Sequence, residues 1–334
     1  MSQISLPPLL EPGRTVLISG GAGFIGSHLT EALLARGIKV IVVDDLSSGR
    51  VTNLPIGHHL LRFMEARLGS PSGDAVFAAA LAEADLLYHL ASPIGVLQAH
   101  AERYSMVHDM LATGLSVSDH CRRLRKPLVA ISSSEIYGPG EDRPLREDDP
   151  CGFDLASRWG YATGKFALEQ LVAGLVAEHG IPGWIVRPFN IGGPRQRPET
   201  GLCIAAFAAR IRQNKPLVIH GDGRQRRAFL HVADAVKALL LIPQAADLIG
   251  RPVNLGSDQA VAIRDLAERM IQLLNHPKGC EFHPYEEIFG NGFAPAGTRV
   301  PDISRLRNAT GWQAEKPLDD ILRDCFDHLA VPVP

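Results

Sequence analysis

Short apolar runs alternate with longer segments of helical periodicity over the first part of the chain. Helices are predicted after the first run, where Ile25, Leu29 and Leu33 recur at helical spacing, and over about 104–124 and 160–179. Strands this apolar, separated by helices, are typical of a parallel sheet covered on both faces. The pattern predicts an α/β fold with a doubly wound parallel sheet. The apolar runs are "TVLIS" (15–19), "KVIVVDD" (39–45), "DLLYHLAS" (85–92), "KPLVAISSS" (126–134) and "GWIVRPFN" (183–190).

The amino-acid composition changes after Asn190. The stretches "IGGPRQRPETG" and "NKPLVIHGDGRQRRAF" are rich in glycine, proline and arginine and predict loops, whereas "PVNLGS" (252–257) predicts one more strand of the first sheet. "AIRDLAERMIQLLN" has a single apolar stripe and predicts an amphipathic helix. We therefore expect a nucleotide-binding domain over 1–190, with a return segment near 228–258. A smaller, interleaved α+β domain for the substrate is expected over 191–334.

A glycine-rich turn follows the first apolar run directly. In "GGAGFIG", Gly20, Gly23 and Gly26 stand three apart, and residues 21–26 fit G-x-G-x-x-G between a predicted strand and a predicted helix. Glycines here permit a tight turn and a close backbone approach to a pyrophosphate, whose charge favours a helix N-terminus. The motif predicts a dinucleotide site.

Asp44 ends the second apolar run, where a carboxylate can accept hydrogen bonds from both adenosine ribose hydroxyls and would repel a 2′-phosphate. NAD is therefore predicted rather than NADP. Arg50 could compensate a phosphate, and an aspartate that only caps a turn is the alternative. The predicted cofactor contacts are Gly20, Gly23, Phe24, Ile25, Gly26, Asp44, Leu90, Ala91, Ser92, Tyr161 and Lys165.

Composition mainly excludes other classes of protein. The chain has 334 residues, 46% of them hydrophobic, and a formal net charge of -2, so no overall basic field favours nucleic acid or an anionic membrane. No run approaches the ~18 consecutive apolar residues of a membrane span, and the N-terminus lacks the pattern of a signal peptide. The cysteines are odd in number and far apart, which predicts free thiols in a reducing cytoplasm. His276, Cys280 and His283 lack a recognised zinc spacing, so a polar loop and no metal site are predicted there.

Tyr161 and Lys165 in "YATGK" stand four apart, on one face of the predicted helix 160–179. A nearby ammonium favours the phenolate, so we expect Lys165 to lower the pKa of Tyr161. Ser133, at the end of a predicted strand, could hold a substrate hydroxyl in line. Together these groups would remove a proton from an alcohol as hydride leaves its carbon for nicotinamide. Tyr-x-x-x-Lys also occurs on many solvated helix faces, and its combination with the glycine motif is what favours chemistry.

Six motifs occur in the order found in extended short-chain dehydrogenases/reductases that act on nucleotide sugars, and the chain resembles that family over nearly its whole length. The resemblance implies a Rossmann domain, bound NAD, and a catalytic set of Ser133, Tyr161 and Lys165. The motifs are "GGAGFIG", "SSSEIYG", "YATGK", "RPFN", "GDGRQRRAF" and "RVPDI".

The same resemblance implies substrate contacts at Asn190, Arg227 and Arg299. Guanidinium forks suit diphosphate and carboxylate groups, which agrees with this role. Either anion could be the partner of Arg299. The family also implies a homodimer formed by helices near 104–124 and 160–179.

The acid in "ISSSEIYG" separates branches of this family. Ser134 followed by Glu135 resembles the UDP-glucuronate decarboxylases, which include UDP-xylose synthase and the decarboxylase of the aminoarabinose pathway. The similarity to the latter is closer in "RWGYATGK", "IVRPFNIGGPR" and "HLASPIGV". It implies oxidation of C4 of glucuronate, loss of CO2 from the resulting β-keto acid, and management of the C5 proton by Glu135 with Ser134. The product would be UDP-xylose if hydride returns to C4, or the UDP-4-keto-pentose otherwise.

Three alternatives remain open at this point. A C4-epimerase of a UDP-uronate or UDP-hexose would use the same oxidation without losing carbon, and "GPRQRPETG" resembles that branch. A 4,6-dehydratase of an NDP-hexose usually pairs Asp with Glu where this chain has Ser134 and Glu135. A catalytically silent NAD-binding sensor would not need Ser133, Tyr161 and Lys165 intact.

Two positions depart from the family pattern near the predicted adenine end of the cofactor. Where many relatives have Asp after the third strand, to hold the adenine amino group, this chain has Arg67 in "EARL". In the helix before the serine-rich strand, Asp109 stands where Asn is usual. These departures leave the predicted chemistry of Ser133, Tyr161 and Lys165 unchanged.

Overall fold

A seven-stranded parallel sheet organises the computed structural model, which describes residues 8–92, 103–155, 159–289 and 297–329. The strands are β1 (Thr15–Ser19), β2 (Lys39–Asp44), β3 (Leu61–Glu65), β4 (Leu86–His89), β5 (Leu128–Ile131), β6 (Gly183–Pro188), β7 (Asn190–Gly192), β8 (Leu217–His220), β9 (Arg226–His231), β10 (Pro252–Leu255), β11 (Ala260–Ala262) and β12 (Cys280–His283). The large sheet has the order β10-β6-β5-β4-β1-β2-β3, and its neighbouring strands are all parallel. The predicted doubly wound Rossmann fold is confirmed.

Helices cover both faces of this sheet. In chain order, the described helices of the whole molecule are α1 (Phe24–Leu34), α2 (Pro71–Glu83), α3 (Arg103–Leu124), α4 (Gly160–His179), α5 (Cys203–Arg212), α6 (Val232–Leu241), α7 (Ile263–Leu273), α8 (Tyr285–Phe289), α9 (Ser304–Thr310) and α10 (Leu318–His328). The helices predicted over 104–124 and 160–179 are confirmed as α3 and α4. Within the described ranges, no helix combines the length and apolarity that crossing a bilayer requires.

The apolar strands are explained by the two hydrophobic cores that they separate. Val16 and Ile18 of β1 point into a core that includes residues of α1 and α6. Leu17, between them, points into the opposite core, with residues of α2, α3 and α4. Successive side chains of a strand alternate between faces, so burial on both sides requires an unbroken apolar run.

Two helix ends show why the sequence starts and stops these elements where it does. The Ser70 hydroxyl accepts a hydrogen bond of 3.2 Å from the backbone nitrogen of Gly73, and Pro71 occupies the first position of α2. Both are favoured at a helix N-terminus. Gly180 adopts the left-handed conformation at the end of α4, with φ 61°, which a glycine allows at little cost.

The region after β6 corrects the sequence prediction. The glycine- and arginine-rich stretch predicted as a loop contains strands β8 and β9, and the predicted polar loop at Cys280 and His283 is strand β12, which pairs in parallel with β8. Loop prediction was wrong because Gly221 and Gly223, with φ of +71° and +70°, only turn the chain between two short strands. The predictions of β10, beside β6, and of the amphipathic helix α7 are confirmed.

The carboxyl ends of the parallel strands meet at one edge of the sheet, where α/β proteins bind ligands. Strand β5 stops at Ile131, so the strand predicted over 126–134 is too long. The remaining serines lead into a short 3-10 helix, Ser134–Tyr137. This shortening brings Ser133 and Glu135 to the edge of the sheet instead of into its interior. Two smaller sheets have the strand orders β11-β9-β7 and β12-β8.

Candidate active site

A cleft of about 770 Å³ lies at the carboxyl ends of the parallel strands. All residues predicted to bind the cofactor, to bind the substrate or to act in catalysis line this cleft, with the exception of Arg227. The cleft therefore joins the glycine turn, Asp44 and the residues Ser133, Tyr161 and Lys165 in one continuous space. Residues 93–96 of "HLASPIGV" and residue 158 of "RWGYATGK" lie outside the described residues.

The glycine turn is packed too closely for larger residues at two of its positions. Gly20 has φ +77°, and a β-carbon there would lie 2.6 Å from the backbone nitrogen of Ala91. A β-carbon on Gly26 would lie 2.2 Å from the carbonyl oxygen of Gly20. Gly23 is the N-cap of α1, no side chain caps this helix, and its first turn contains no acidic residue. The helix N-terminus is thus left to an anion, which fits the pyrophosphate of a dinucleotide.

Asp44 is held at the end of β2 by backbone donors. Its Oδ2 accepts a hydrogen bond of 2.9 Å from the nitrogen of Ala22, and its Oδ1 accepts one of 2.9 Å from the nitrogen of Leu46. Burial raises the pKa of Asp44, and the two backbone hydrogen bonds oppose that rise. Each carboxylate oxygen has more than one lone pair, so the side chain keeps acceptor capacity toward the cleft for ribose hydroxyls.

The phenol of Tyr161 faces serines rather than an ammonium. It hydrogen-bonds with Ser133 and Ser92. Burial raises the Tyr161 pKa well above its ordinary value, the charge of Glu135 raises it further, and the serine hydrogen bonds only partly oppose these effects. The expectation that Lys165 lowers this pKa is therefore wrong. The Lys165 Nζ lies 5.6 Å from the centre of the Tyr161 ring, over its face, and its hydrogen bond goes to a different group.

Lys165 is buried, with 3% of its surface exposed. Its Nζ donates a hydrogen bond of 2.8 Å to the carbonyl oxygen of Ile131, the last residue of β5. Burial lowers the pKa of Lys165 to about 8, and the carboxylate of Glu169 opposes that shift. Burial thus favours the neutral amine, whereas Glu169 favours the ammonium.

Glu135, the acid that the sequence singled out, forms an ion pair with Arg299 across the cleft wall. The Arg299 Nη1 donates to Glu135 Oε1, and Nη2 donates a hydrogen bond of 2.7 Å to the carbonyl oxygen of Gly138. Arg299 is only 4% exposed, and among the described residues its Nε has no hydrogen-bond partner. The Ser133 hydroxyl accepts a hydrogen bond of 3.1 Å from the Glu135 nitrogen. The site thus contains a buried guanidinium with a donor to spare beside Ser133.

Arg227 lies beside Arg299 without lining the cleft itself. An isolated β-bridge pairs the two residues, and the Arg227 Nη1 donates a hydrogen bond of 2.8 Å to the carbonyl oxygen of Arg226. Burial lowers the pKa of Arg227 to about 10, and the charge of Arg299 contributes to that shift. Asn190 does line the cleft, and its amide donates a hydrogen bond of 3.1 Å to the Ala228 carbonyl oxygen. Two adjacent guanidinium groups favour an anion at this end of the cleft.

The sequence profile described as the NAD dependent epimerase/dehydratase family matches residues 16–256. The chain is 32% identical to a UDP-N-acetyl-alpha-D-glucosaminuronate decarboxylase of Bacillus cytotoxicus, over 88% of this chain and 91% of that protein. It is 30% identical to UDP-glucuronic acid decarboxylase 1 of Arabidopsis thaliana, over 89% of this chain and 66% of that protein. The chain belongs to the NAD-dependent epimerase/dehydratase family. Its cofactor is accordingly NAD, for which the glycine turn and Asp44 fit.

A solved structure of another family member agrees with this assignment. The UDP-glucose 4-epimerase of Thermus thermophilus, in complex with NAD, superimposes with a TM-score of 0.83 at 25% identity. The similarity covers 96% of this chain and 100% of that one. The family fold therefore extends through the part of the chain after residue 190 as well as through the part before it.

The two departures from the family pattern are partners in space. Arg67 Nη2 lies 2.7 Å from Asp109 Oδ2 in an ion pair whose side chains are 64% and 37% exposed, and both residues line the cleft. The signal that could have paired them is the opposite sign of the two changes: Arg67 replaces an acid with a base, and Asp109 replaces a neutral amide with an acid. Sequence reasoning also missed lining residues from one face of α3 and from the segment between β7 and α5, because only the fold brings them to the cleft: Ser105, Met106, Ala112, Thr113, Thr200 and Leu202.

Proposed function

We propose that this family member is an NAD-dependent decarboxylase of UDP-glucuronate. The observation that carries the proposal is the buried Arg299 in the cleft wall, which already binds one carboxylate, that of Glu135, and retains an Nε donor without a partner among the described residues. A guanidinium in this position suits the C6 carboxylate of a uronate. The names of the two decarboxylases to which the chain is similar support the same substrate class.

The chain's own residues would carry out the proton chemistry at C4. Ser133 and Tyr161 are hydrogen-bonded to each other and would hold the C4 hydroxyl, with Tyr161 as the group that exchanges its proton. Lys165 supports this set from the strand end, through its bond to Ile131. When bound, NAD supplies the acceptor for the hydride that leaves C4.

The C4 ketone makes the substrate a β-keto acid, which loses CO2 because the remaining electron pair is delocalised into the ketone as an enolate. The enolate must then take up a proton at C5. Glu135 and Ser134 line the cleft beside Ser133 and would manage that proton. Asn190 and Arg227, near Arg299, would contact the rest of the sugar nucleotide, with diphosphate the anion that suits Arg227.

The proposal extends to how the protein is divided into domains and how it assembles. We propose the two-domain division at residue 190 and a homodimer through the outer faces of α3 and α4, where Tyr104 and Leu115 are 83% and 56% exposed. Light scattering of the purified protein tests the dimer, and Leu115→Glu should shift it toward the monomer.

The free thiols of the five cysteines support a reducing cytoplasm as the location of the protein.

The decisive experiment is to incubate the purified protein with UDP-glucuronate and to identify the product by NMR and mass spectrometry. Loss of the mass of CO2 with a UDP-pentose or UDP-4-keto-pentose as product is the expected result. An unchanged mass with UDP-galacturonate formed would mean a 4-epimerase, and the proposal would be wrong. Tyr161→Phe should abolish turnover, whereas the exposed control Tyr104→Phe should retain it.

One observation favours a second candidate substrate. The Bacillus cytotoxicus relative carries the name of a decarboxylase acting on a 2-acetamido uronate. The same incubation with UDP-N-acetylglucosaminuronate compares kcat/KM for the two substrates directly. A higher value for the acetamido sugar would keep the decarboxylase chemistry and replace the proposed substrate.

A further inference from the structure

Behind the cleft, a second arginine–carboxylate pair is sealed in the protein. Glu169 of α4 and Arg187 of β6 have side chains that are each 5% exposed. Arg187 Nε and Nη2 donate to Glu169 Oε1 and Oε2 at 3.0 and 2.7 Å, which is the bidentate geometry of the strongest ion pairs. No step proposed above uses either residue.

The remaining donors of Arg187 are also committed. Its Nη1 donates to the Tyr137 hydroxyl at 2.9 Å and to the Glu147 carbonyl oxygen at 3.0 Å. The Tyr137 hydroxyl in turn donates to Asn254 Oδ1 at 2.7 Å. Glu169, Tyr137 and Glu147, from three separate parts of the chain, therefore hold the guanidinium, and the guanidinium fixes the position of the Glu169 carboxylate.

The Glu169 carboxylate is also attached to the strand that carries the catalytic serines. The Ser132 hydroxyl donates to Glu169 Oε1 at 2.5 Å. One residue earlier, the Ile131 carbonyl oxygen accepts the bond from Lys165. Tyr161, Lys165 and Glu169 are successive residues at four-residue spacing on one face of α4. Ile131, the last residue of β5, is thus bonded to Lys165, and the next residue, Ser132, is bonded to Glu169, one turn further along α4.

Among the described residues, Glu169 is the carboxylate whose charge favours the ammonium of Lys165. From β4, His89 faces Lys165, but burial lowers its pKa to about 3, so it is neutral. Tyr161, on the same helix, is a protonated phenol, and Glu135 from the 3-10 helix acts on that phenol rather than on the lysine. Arg187 from β6 is paired with Glu169 itself. Burial and the charge of Glu169 shift the pKa of Lys165 in opposite directions.

We propose that Glu169 is a positioning residue of the active site. Anchored by Arg187, it fixes α4 against the end of β5, so that Tyr161 meets Ser133, and it is the buried counter-charge that keeps Lys165 an ammonium. The inference rests on the proposed function, because it concerns how the same Ser-Tyr-Lys set is kept competent. A merely structural ion pair would hold the helix without controlling the charge of Lys165.

The first test is the pH profile of turnover by Glu169→Gln, which keeps an oxygen for Ser132 and removes the charge. The hydrogen bond from Lys165 to Ile131, which supports the catalytic set, is charge-assisted only while Lys165 is an ammonium, so activity should fall as pH rises past about 8. Without Glu169 the burial effect is unopposed, and this basic limb should move about one to two pH units toward acid. Turnover well below the limb should change much less.

The second test needs no substrate and therefore separates this inference from the proposed function. In protein labelled with 13C-lysine, the NMR signal of Lys165, assigned with Lys165→Arg, should titrate at lower pH in Glu169→Gln by the same amount as the basic limb. Glu178→Gln, an exposed carboxylate near the end of the same helix, is the control and should leave the titration unchanged.

A third variant keeps the inference testable if the loss of charge next to Arg187 prevents folding. Glu169→Asp retains the partner of Arg187 but withdraws the carboxylate by one methylene, and we expect a smaller shift in the same direction. A Lys165 titration that is identical in the parent and in the folded Glu169 variant would overturn the inference, even if the protein proves to be a decarboxylase. A shifted titration without decarboxylation would uphold the inference and overturn the function.

Discussion

Two arginine–carboxylate pairs flank the end of β5. They differ in burial and in how many of the arginine nitrogens have a hydrogen-bond partner. Glu169 and Arg187 lie behind the serines with 5% of each side chain exposed, whereas in the Glu135–Arg299 pair the carboxylate is 23% exposed. Every nitrogen of Arg187 donates to a protein atom. Arg299, in contrast, has an Nε without a partner in the described ranges.

The difference separates a permanent pair from an exchangeable one. A buried charge is tolerated when all of its hydrogen bonds are made, and breaking such a pair leaves a costly unpaired charge. Arg299 has a second cation, Arg227, at its side, and two adjacent guanidinium groups favour the binding of an anion. An incoming anion can be bound there without dismantling the fold, which is what a substrate site requires.

The largest expected effect is on stability, from breaking the sealed pair. Arg187→Met leaves Glu169 buried without its partner, and removal of one member of a buried pair costs about 3 to 5 kcal/mol. Urea denaturation should show this loss. Arg299→Met, at the exchangeable pair, should cost less, since the Glu135 carboxylate left behind is 23% exposed and can be solvated from the cleft. Equal losses in the two variants would remove the distinction between the pairs.

Next in size is an effect on turnover rather than on folding. Arg299→Met should lower kcat/KM for UDP-glucuronate by about 10²- to 10³-fold, because a desolvated charge-assisted contact is worth about 3 to 4 kcal/mol. The matched control is Arg307→Met, an exposed arginine paired with Asp258, which should retain activity. A fully active Arg299→Met variant would mean that the carboxylate is bound elsewhere.

The two regions also differ in how far the sequence could predict them. Gly20, Gly23, Gly26 and Asp44 lie within one βαβ unit, so local spacing was enough to predict both the turn and the cofactor. The charge pairs join residues that are far apart in the chain, such as Glu135 with Arg299, and spacing carries no information about such contacts. Only the resemblance to the family suggested that Arg299 belongs to the site.

Local patterns failed where burial or tertiary pairing decides. Lys165 was expected to lower the Tyr161 pKa, but the fold directs its ammonium to Ile131 and surrounds the phenol with protein. Strands β8 and β9 were missed because the glycines between them and the arginines at the start of β9 are typical of loops. Arg187 stands in the apolar run "GWIVRPFN", and a charged residue in an otherwise buried strand was the available signal for the sealed pair.

A carboxylate held without any guanidinium extends the comparison. Asp44 is bound by the backbone nitrogens of Ala22 and Leu46, so Asp44→Asn should not leave a charge unpaired. We expect NAD affinity to fall about tenfold, because the amide replaces one acceptor with a donor and weakens hydrogen bonds to a charged group. The Kd is measured by titrating the protein with NAD and following the quenching of its tryptophan fluorescence. Asp222→Asn, at an exposed position outside the lining of the cleft, is the control and should leave it unchanged.

The smallest expected effect belongs to Arg67 and Asp109, the exposed pair in the same cleft. Alanine substitution of both residues, singly and together, gives a double-mutant cycle whose coupling energy should be below about 1 kcal/mol, since surface pairs are screened by water. Added salt should reduce that coupling further. A coupling of several kcal/mol would place this pair with Glu169 and Arg187, and exposure would then be a poor guide to which charge pairs the fold depends on. A small coupling would instead support the view that saturation of hydrogen bonds and burial together, rather than the presence of an arginine beside a carboxylate, decide what each pair does.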